Sequence, residues 1–172
     1  MPRNTAVDGS EDPSASRFAS MAPAASTLTF PSDTEVLIER SFAAPRELVW
    51  RAFTEPALLR KWNGPAEFPM TICEMDVRPN GKFRWAWGEQ FETRGVIHQV
   101  EKPRLLVMES MAPDPTPELR TMTFEESGGR TKVLIRIKTA TKALRDELLA
   151  SGAVEGLEPT YARLDALLAE LA

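Results

Sequence analysis

One histidine, one cysteine and one tyrosine occur in the 172 residues of this chain, which leaves few ways to assemble a reactive centre. His98 could act as an acid or base near neutral pH. It alternates with Val96 and Val100, which permits an inward position, yet no Ser, Cys or carboxylate is set beside it by spacing. A single His and a single Cys exclude zinc or iron sites built on His/Cys clusters. Cys73 has no partner for an internal disulfide and reads, among apolar neighbours, as a packing thiol in a reducing compartment. Glu74, Asp76, Arg78 and Arg84 read as cross-strand pairs on a solvated face rather than as an acid/base pair of carboxylates. Ser127-Gly128-Gly129 has neither the length nor the following helix of a phosphate loop.

The remaining chemistry is recognition. Arg40 falls on the apolar side of its strand, where a guanidinium needs either an internal carboxylate or the acidic head of a ligand. Tyr161 lies in the apolar stripe of the last helix, where its hydroxyl needs a ligand, a carbonyl or water. Trp62, Trp85, Trp87, Phe83, Phe124, Met75, Met108 and Met122, joined by Leu157, are large side chains that either fill a core or wall a pliable apolar pocket. Such a pocket calls for no cofactor.

Several elements must position these groups. Residues 1–31, rich in Ala, Ser and Pro without hydrophobic period, read as a disordered tail ahead of a domain spanning residues 32–172. Asp8, Glu11 and Asp12 interrupt the place of a secretory apolar run. No stretch approaches the roughly 20 apolar residues of a membrane span, so a cytoplasmic domain is expected. With 21 basic against 25 acidic residues, a nucleic-acid surface is not expected.

Glu35–Phe42 alternates as a strand with Val36, Ile38, Arg40 and Phe42 on one face. Ala43-Ala44-Pro45 opens a helix whose buried stripe is Leu48, Val49, Ala52 and Phe53, and a second short helix carries Leu58 and Trp62. Further strands follow. Around Pro79-Asn80-Gly81 the apolar pattern predicts a three-residue turn that pairs Val77 with Phe83 and Met75 with Trp85, with Gly81 left-handed. Strands are expected over 92–101, 104–110, 118–126 and 130–139, with a proline-rich loop at 112–117. Val154, Leu157, Tyr161, Leu164, Leu168 and Leu171 then form a helical stripe, in which Pro159 predicts a kink or restart. The whole predicts an α+β fold: a curved antiparallel sheet of six to seven strands around a long C-terminal helix, with two short helices after the first strand.

The segments Arg40-Ser41-Phe42-Ala43-Ala44-Pro45, Val49-Trp50-Arg51-Ala52-Phe53-Thr54 with Trp62, Asp76-Val77-Arg78-Pro79-Asn80-Gly81-Lys82-Phe83-Arg84, Gly95-Val96-Ile97 with Pro103-Arg104-Leu105-Leu106, and Gly152-Ala153-Val154-Glu155-Gly156-Leu157 with Tyr161 and Leu164 occur in order. Together they resemble the single-domain bacterial members of the family named for the activator of the 90-kDa heat-shock-protein ATPase. That family lies within the START-like, SRPBCC, polyketide-cyclase-like superfamily. The resemblance implies a helix-grip fold with a cavity between sheet and C-terminal helix. It implies non-catalytic binding of a small hydrophobic molecule that is lipid-, flavonoid- or polyketide-like, or else a stress-response co-chaperone that engages a chaperone. A third implied activity is cofactor-free cyclase or dehydratase chemistry, which would draw on His98, Arg40 or Tyr161.

Overall fold

A computed structural model describes residues 25–111 and 116–172. The tail reading for residues 1–24 and most of the proline-rich loop, residues 112–115, lie outside the described residues. The elements run β1 Thr27–Thr29, β2 Glu35–Phe42, α1 Arg46–Thr54, α2 Pro56–Leu59, β3 Met70–Met75, β4 Lys82–Trp87, β5 Phe91–Glu101, β6 Leu105–Met111, β7 Glu118–Ser127, β8 Arg130–Thr139, α3 Lys142–Ala150 and α4 Leu157–Leu171. The strands form one antiparallel sheet of eight in the order β1-β2-β8-β7-β6-β5-β4-β3. The expected count of six to seven is short by β1, which falls within the stretch read as tail. Thr27-Leu28-Thr29 is too brief to show a period, and it becomes a strand by pairing Leu28 with Ile38 on the edge of β2.

Strand β2 alternates as its sequence requires, burying Val36, Ile38, Arg40 and Phe42. Pro45 opens α1, its carbonyl accepting from the Leu48 and Val49 amides at 3.0 and 3.1 Å. Val49, Trp50, Ala52 and Phe53 are buried beneath that helix, and the Trp62 indole N–H donates to the Ala52 carbonyl at 2.9 Å, tying the turn after α2 to α1.

The β3–β4 hairpin departs from the expected register by two residues: Met75 pairs with Phe83 and Cys73 with Trp85. An even shift keeps every side chain on its face, so the apolar pattern could not detect it. The longer connection is held from outside the hairpin, with the Asn80 amide donating to the Ile97 carbonyl and the Ile97 amide to the Gly81 carbonyl, both at 2.8 Å. Asn80, not Gly81, takes the left-handed conformation, at φ 66°. Gly81 is needed for space, because a Cβ there would fall on the Asp76 carbonyl oxygen.

The expected C-terminal helix is α4, and a further helix, α3, precedes it. Thr141 caps α3, its hydroxyl accepting from the Leu144 amide at 3.2 Å. Gly152, at φ 87°, follows the end of α3. The chain restarts at Leu157 with Pro159 in the first turn, where proline's missing N–H costs nothing. Helix α4 buries Tyr161, Leu164, Leu167 and Leu168. Its first turns also dock on the Asn63-Gly64 turn through the Arg163 guanidinium, which donates to the Gly64 carbonyl, while from β4 the Trp87 indole N–H donates to the Asn63 carbonyl at 3.1 Å.

Candidate functional site

Register brings the site together. Val36 of β2 pairs with Ile137 of β8, and Ile38 with Ile135; on the other side of β8, Arg120 of β7 pairs with Ile137. Four branched aliphatic side chains and one guanidinium therefore meet on the inner face of three adjacent strands, with Leu28 of β1 beside them. Above this floor lie Leu148 and Leu149 of α3, Ala153 and Val154 of the junction, and Leu157 and Tyr161 of α4. Short branched side chains below and a broken helix above leave a cavity of about 100 Å³ between sheet and helices.

Two polar groups line it. Arg120 is paired with Glu118 two residues earlier on the same strand. Tyr161 is 5% exposed, its ring meeting Phe42 edge-on at 5.6 Å and lying 5.3 Å from the Arg40 guanidinium carbon. Among the described residues its hydroxyl has no hydrogen-bond partner. Burial pushes the phenol up to about 12, against the opposing pull of Arg120 and Arg40. A phenol whose folded-state pKa exceeds the unfolded value near 10 contributes stability that is complete below about pH 10 and lost as pH rises through about 12. Because Tyr161 is the chain's one tyrosine, an ultraviolet titration reads it alone. The folded protein is expected to form phenolate only above pH 11, and an apparent value near 10 would contradict its burial.

Arg40 does not need a ligand. At 4% exposure it binds the Asp165 carboxylate at 2.7 Å, with Glu158 at 3.9 Å. The Ser26 amide donates to Glu158 at 2.7 Å, and hydrogen bonding from Ser26, the side chain ahead of the amide, is the main reason that carboxyl is held below its usual range. Asp165 is shifted the other way, because burial outweighs the attraction of Arg40. Of the two sequence readings for Arg40, the internal salt bridge is the one present.

Of the residues marked from sequence, Tyr161 and Leu157 line the cavity. Met108, Met122, Phe83 and Trp62 are packed in the core. Trp85 is buried there with an indole N–H that has no partner among the described residues. Met75 and Trp87 pack against the core while partly exposed. Phe124 is buried against Trp50 and Phe53 and also floors a separate open groove of about 450 Å³, rimmed by Arg46, Arg104, Glu101, Glu125 and Glu126. His98 faces outward, 44% exposed, with Nε2 2.6 Å from the Glu109 carboxylate. The register of β5 shifts between Ile97 and Gln99, so the alternation that suggested an inward His98 is broken at that residue.

Sequence reading missed Val36, Ile38, Ile135 and Ile137 as cavity walls, and Leu28, Leu148, Leu149 and Arg120 as well. One signal was available: Arg120 shares an apolar row with Met122 and Phe124, as Arg40 does with Val36 and Ile38. A second was the glycine pair Gly152 and Gly156, which interrupts the helix opposite the sheet.

Residues 43–169 match the family model described as Activator of Hsp90 ATPase homolog 1-like protein. The chain belongs to this family. A crystal structure of a Rhodobacter sphaeroides protein is 30% identical, with a TM-score of 0.79, covering 86% of this chain and 100% of the other. A Mycobacterium smegmatis protein is 26% identical with a TM-score of 0.75, covering 86% and 100%. One from Nitrosomonas europaea is 24% identical with a TM-score of 0.74, covering 82% and 97%. No curated protein matches the chain. The family's helix-grip architecture is the sheet, paired short helices and C-terminal helix described above. Among the described residues no helix is long and apolar enough to cross a membrane.

Proposed function

We propose that this domain binds a small apolar molecule, without catalysis, in the cavity between α3–α4 and strands β2, β8 and β7. The observation that carries the reading is the cavity's lining: apolar walls drawn from sheet and helices, with two polar groups among them. Concave apolar sites with a few convergent polar groups are the usual seats of small ligands. His98, the side chain best suited to acid/base work, points away from the cavity on the outer face of β5.

The volume limits the occupant. About 100 Å³ is smaller than the ~150 Å³ cavity that admits benzene. A flavonoid- or polyketide-sized molecule would have to displace the exposed 151–156 junction, whose Ala153 and Val154 form part of the wall. The reading therefore favours a compact ligand or the end of a chain. Titrating methyl-labelled protein with a small aliphatic probe is expected to move the signals of Ile135, Ile137 and Leu149 together, while those of Met108 and Met122 stay in place. No movement at the cavity methyls across a panel of apolar probes would contradict it.

A further inference from the structure

Going one step further, and resting on the cavity as the binding site, we infer that its ligand is an uncharged aliphatic molecule with one acceptor oxygen, a ketone, ester or alcohol, which accepts a hydrogen bond from the Tyr161 hydroxyl.

The donor comes first. Tyr161 lines the cavity, and its hydroxyl has no partner among the described residues. A hydroxyl with no protein partner is free to donate, and an acceptor placed in the cavity gives it one. The phenol keeps its proton far above neutral pH, so it is present as a donor under all ordinary conditions.

Charge balance then selects the head group. The two guanidiniums that act on the phenol are already matched, Arg120 with Glu118 and Arg40 with Asp165. Glu158 adds a further negative charge at 3.9 Å from Arg40. A carboxylate or phosphate head would enter a low-dielectric site whose cations are compensated, and its desolvation would go unmet. A carbonyl or hydroxyl oxygen carries no such penalty.

Wall shape selects the body. Val36, Ile38, Ile135 and Ile137 present branched methyl groups, not flat faces, to the cavity. The one aromatic ring there is Tyr161, and it is engaged by Phe42 and by the Arg40 guanidinium. No ring face is offered for stacking an aromatic ligand. The volume suits the oxygen and the first few carbons of a chain.

Three probes of matched length separate these arguments: 2-pentanone, pentanoate at pH 8 and n-pentane, titrated into full-length protein labelled at methyl groups and at the ring of its sole tyrosine. 2-Pentanone is expected to bind at least about tenfold more tightly than pentanoate. Tyr161→Phe is expected to weaken 2-pentanone by about tenfold, the scale of one hydrogen bond, and to leave n-pentane unchanged. Pentanoate binding as tightly as 2-pentanone, or Tyr161→Phe leaving 2-pentanone unaffected, would overturn the inference while n-pentane still reported the cavity. Failure of all three probes to move the cavity methyls would remove the binding site itself. The comparison of ketone with carboxylate needs only the unaltered chain, so it stands even if the variant does not fold.

Discussion

Replacing Asp165 with alanine is expected to lower the unfolding free energy by about 3 kcal/mol, because it strands the Arg40 guanidinium inside the domain. Arg40 is held by Asp165 at 2.7 Å, and its side chain is only 3% exposed. Losing one partner of a buried pair typically costs about 3 to 5 kcal/mol. The lower end applies here because the Asp165 side chain retains 29% exposure and water can reach part of the pair. Burial nevertheless pushes the Asp165 carboxyl above its ordinary range in spite of Arg40, so the pair is maintained at an electrostatic cost. The double replacement Arg40→Leu with Asp165→Leu should therefore recover most of the loss. Urea denaturation of the three variants checks this. A loss below about 1 kcal/mol for Asp165→Ala would show that Arg40 is satisfied by other means.

Phe124→Ala should cost about 4 kcal/mol and leave ligand affinity unchanged. Phe124 is 1% exposed and is met edge-on by Trp50 at 5.2 Å and Phe53 at 5.4 Å. Truncation opens a void among rigid rings that cannot collapse into it, and for phenylalanine the transfer and cavity terms sum to about 3 to 5 kcal/mol. The same residue was marked from sequence as a pocket wall, so the variant separates the two roles. Denaturant midpoints give the stability, and titration at a temperature where the variant is folded gives the affinity. Loss of affinity with stability intact would move the binding site to this end of the domain.

These two residues show where sequence reading reaches and where it stops. The inward row of β2, Arg40 included, was legible because strand alternation is a local property of the backbone. Choosing between a salt bridge and a ligand for Arg40 was not, since Asp165 lies 125 residues away on a helix whose facing depends on packing. Likewise, the Asn80 and Ile97 amides hold the β3–β4 connection from β5, and the irregularity at His98 turns that side chain outward. Neither leaves a mark in the hydrophobic pattern.

The lining of the cavity was hard to read for a different reason. Tryptophan and methionine drew attention as pocket-lining residues, yet large flexible side chains are also those best able to fill space. Trp62, Met108 and Met122 do so, in a core tied together by rings such as Phe53 and Trp62 at 4.8 Å. The void lies instead where compact Val and Ile side chains face a helix interrupted between Ala150 and Leu157. Composition indicates how much apolar volume a chain carries, whereas the gap depends on where two elements fail to meet.

The central claim is that this member of the Activator of Hsp90 ATPase homolog 1-like family holds its ligand under α3 and α4 against β2, β8 and β7. Intermolecular nuclear Overhauser effects from a bound aliphatic probe to labelled methyl groups test it most directly. Contacts with Ile135, Ile137, Leu149 and the Tyr161 ring, and none with Met108 or Met122, are the predicted result. Contacts with those methionines and the Trp85 indole instead would place the ligand in the aromatic core and contradict the account.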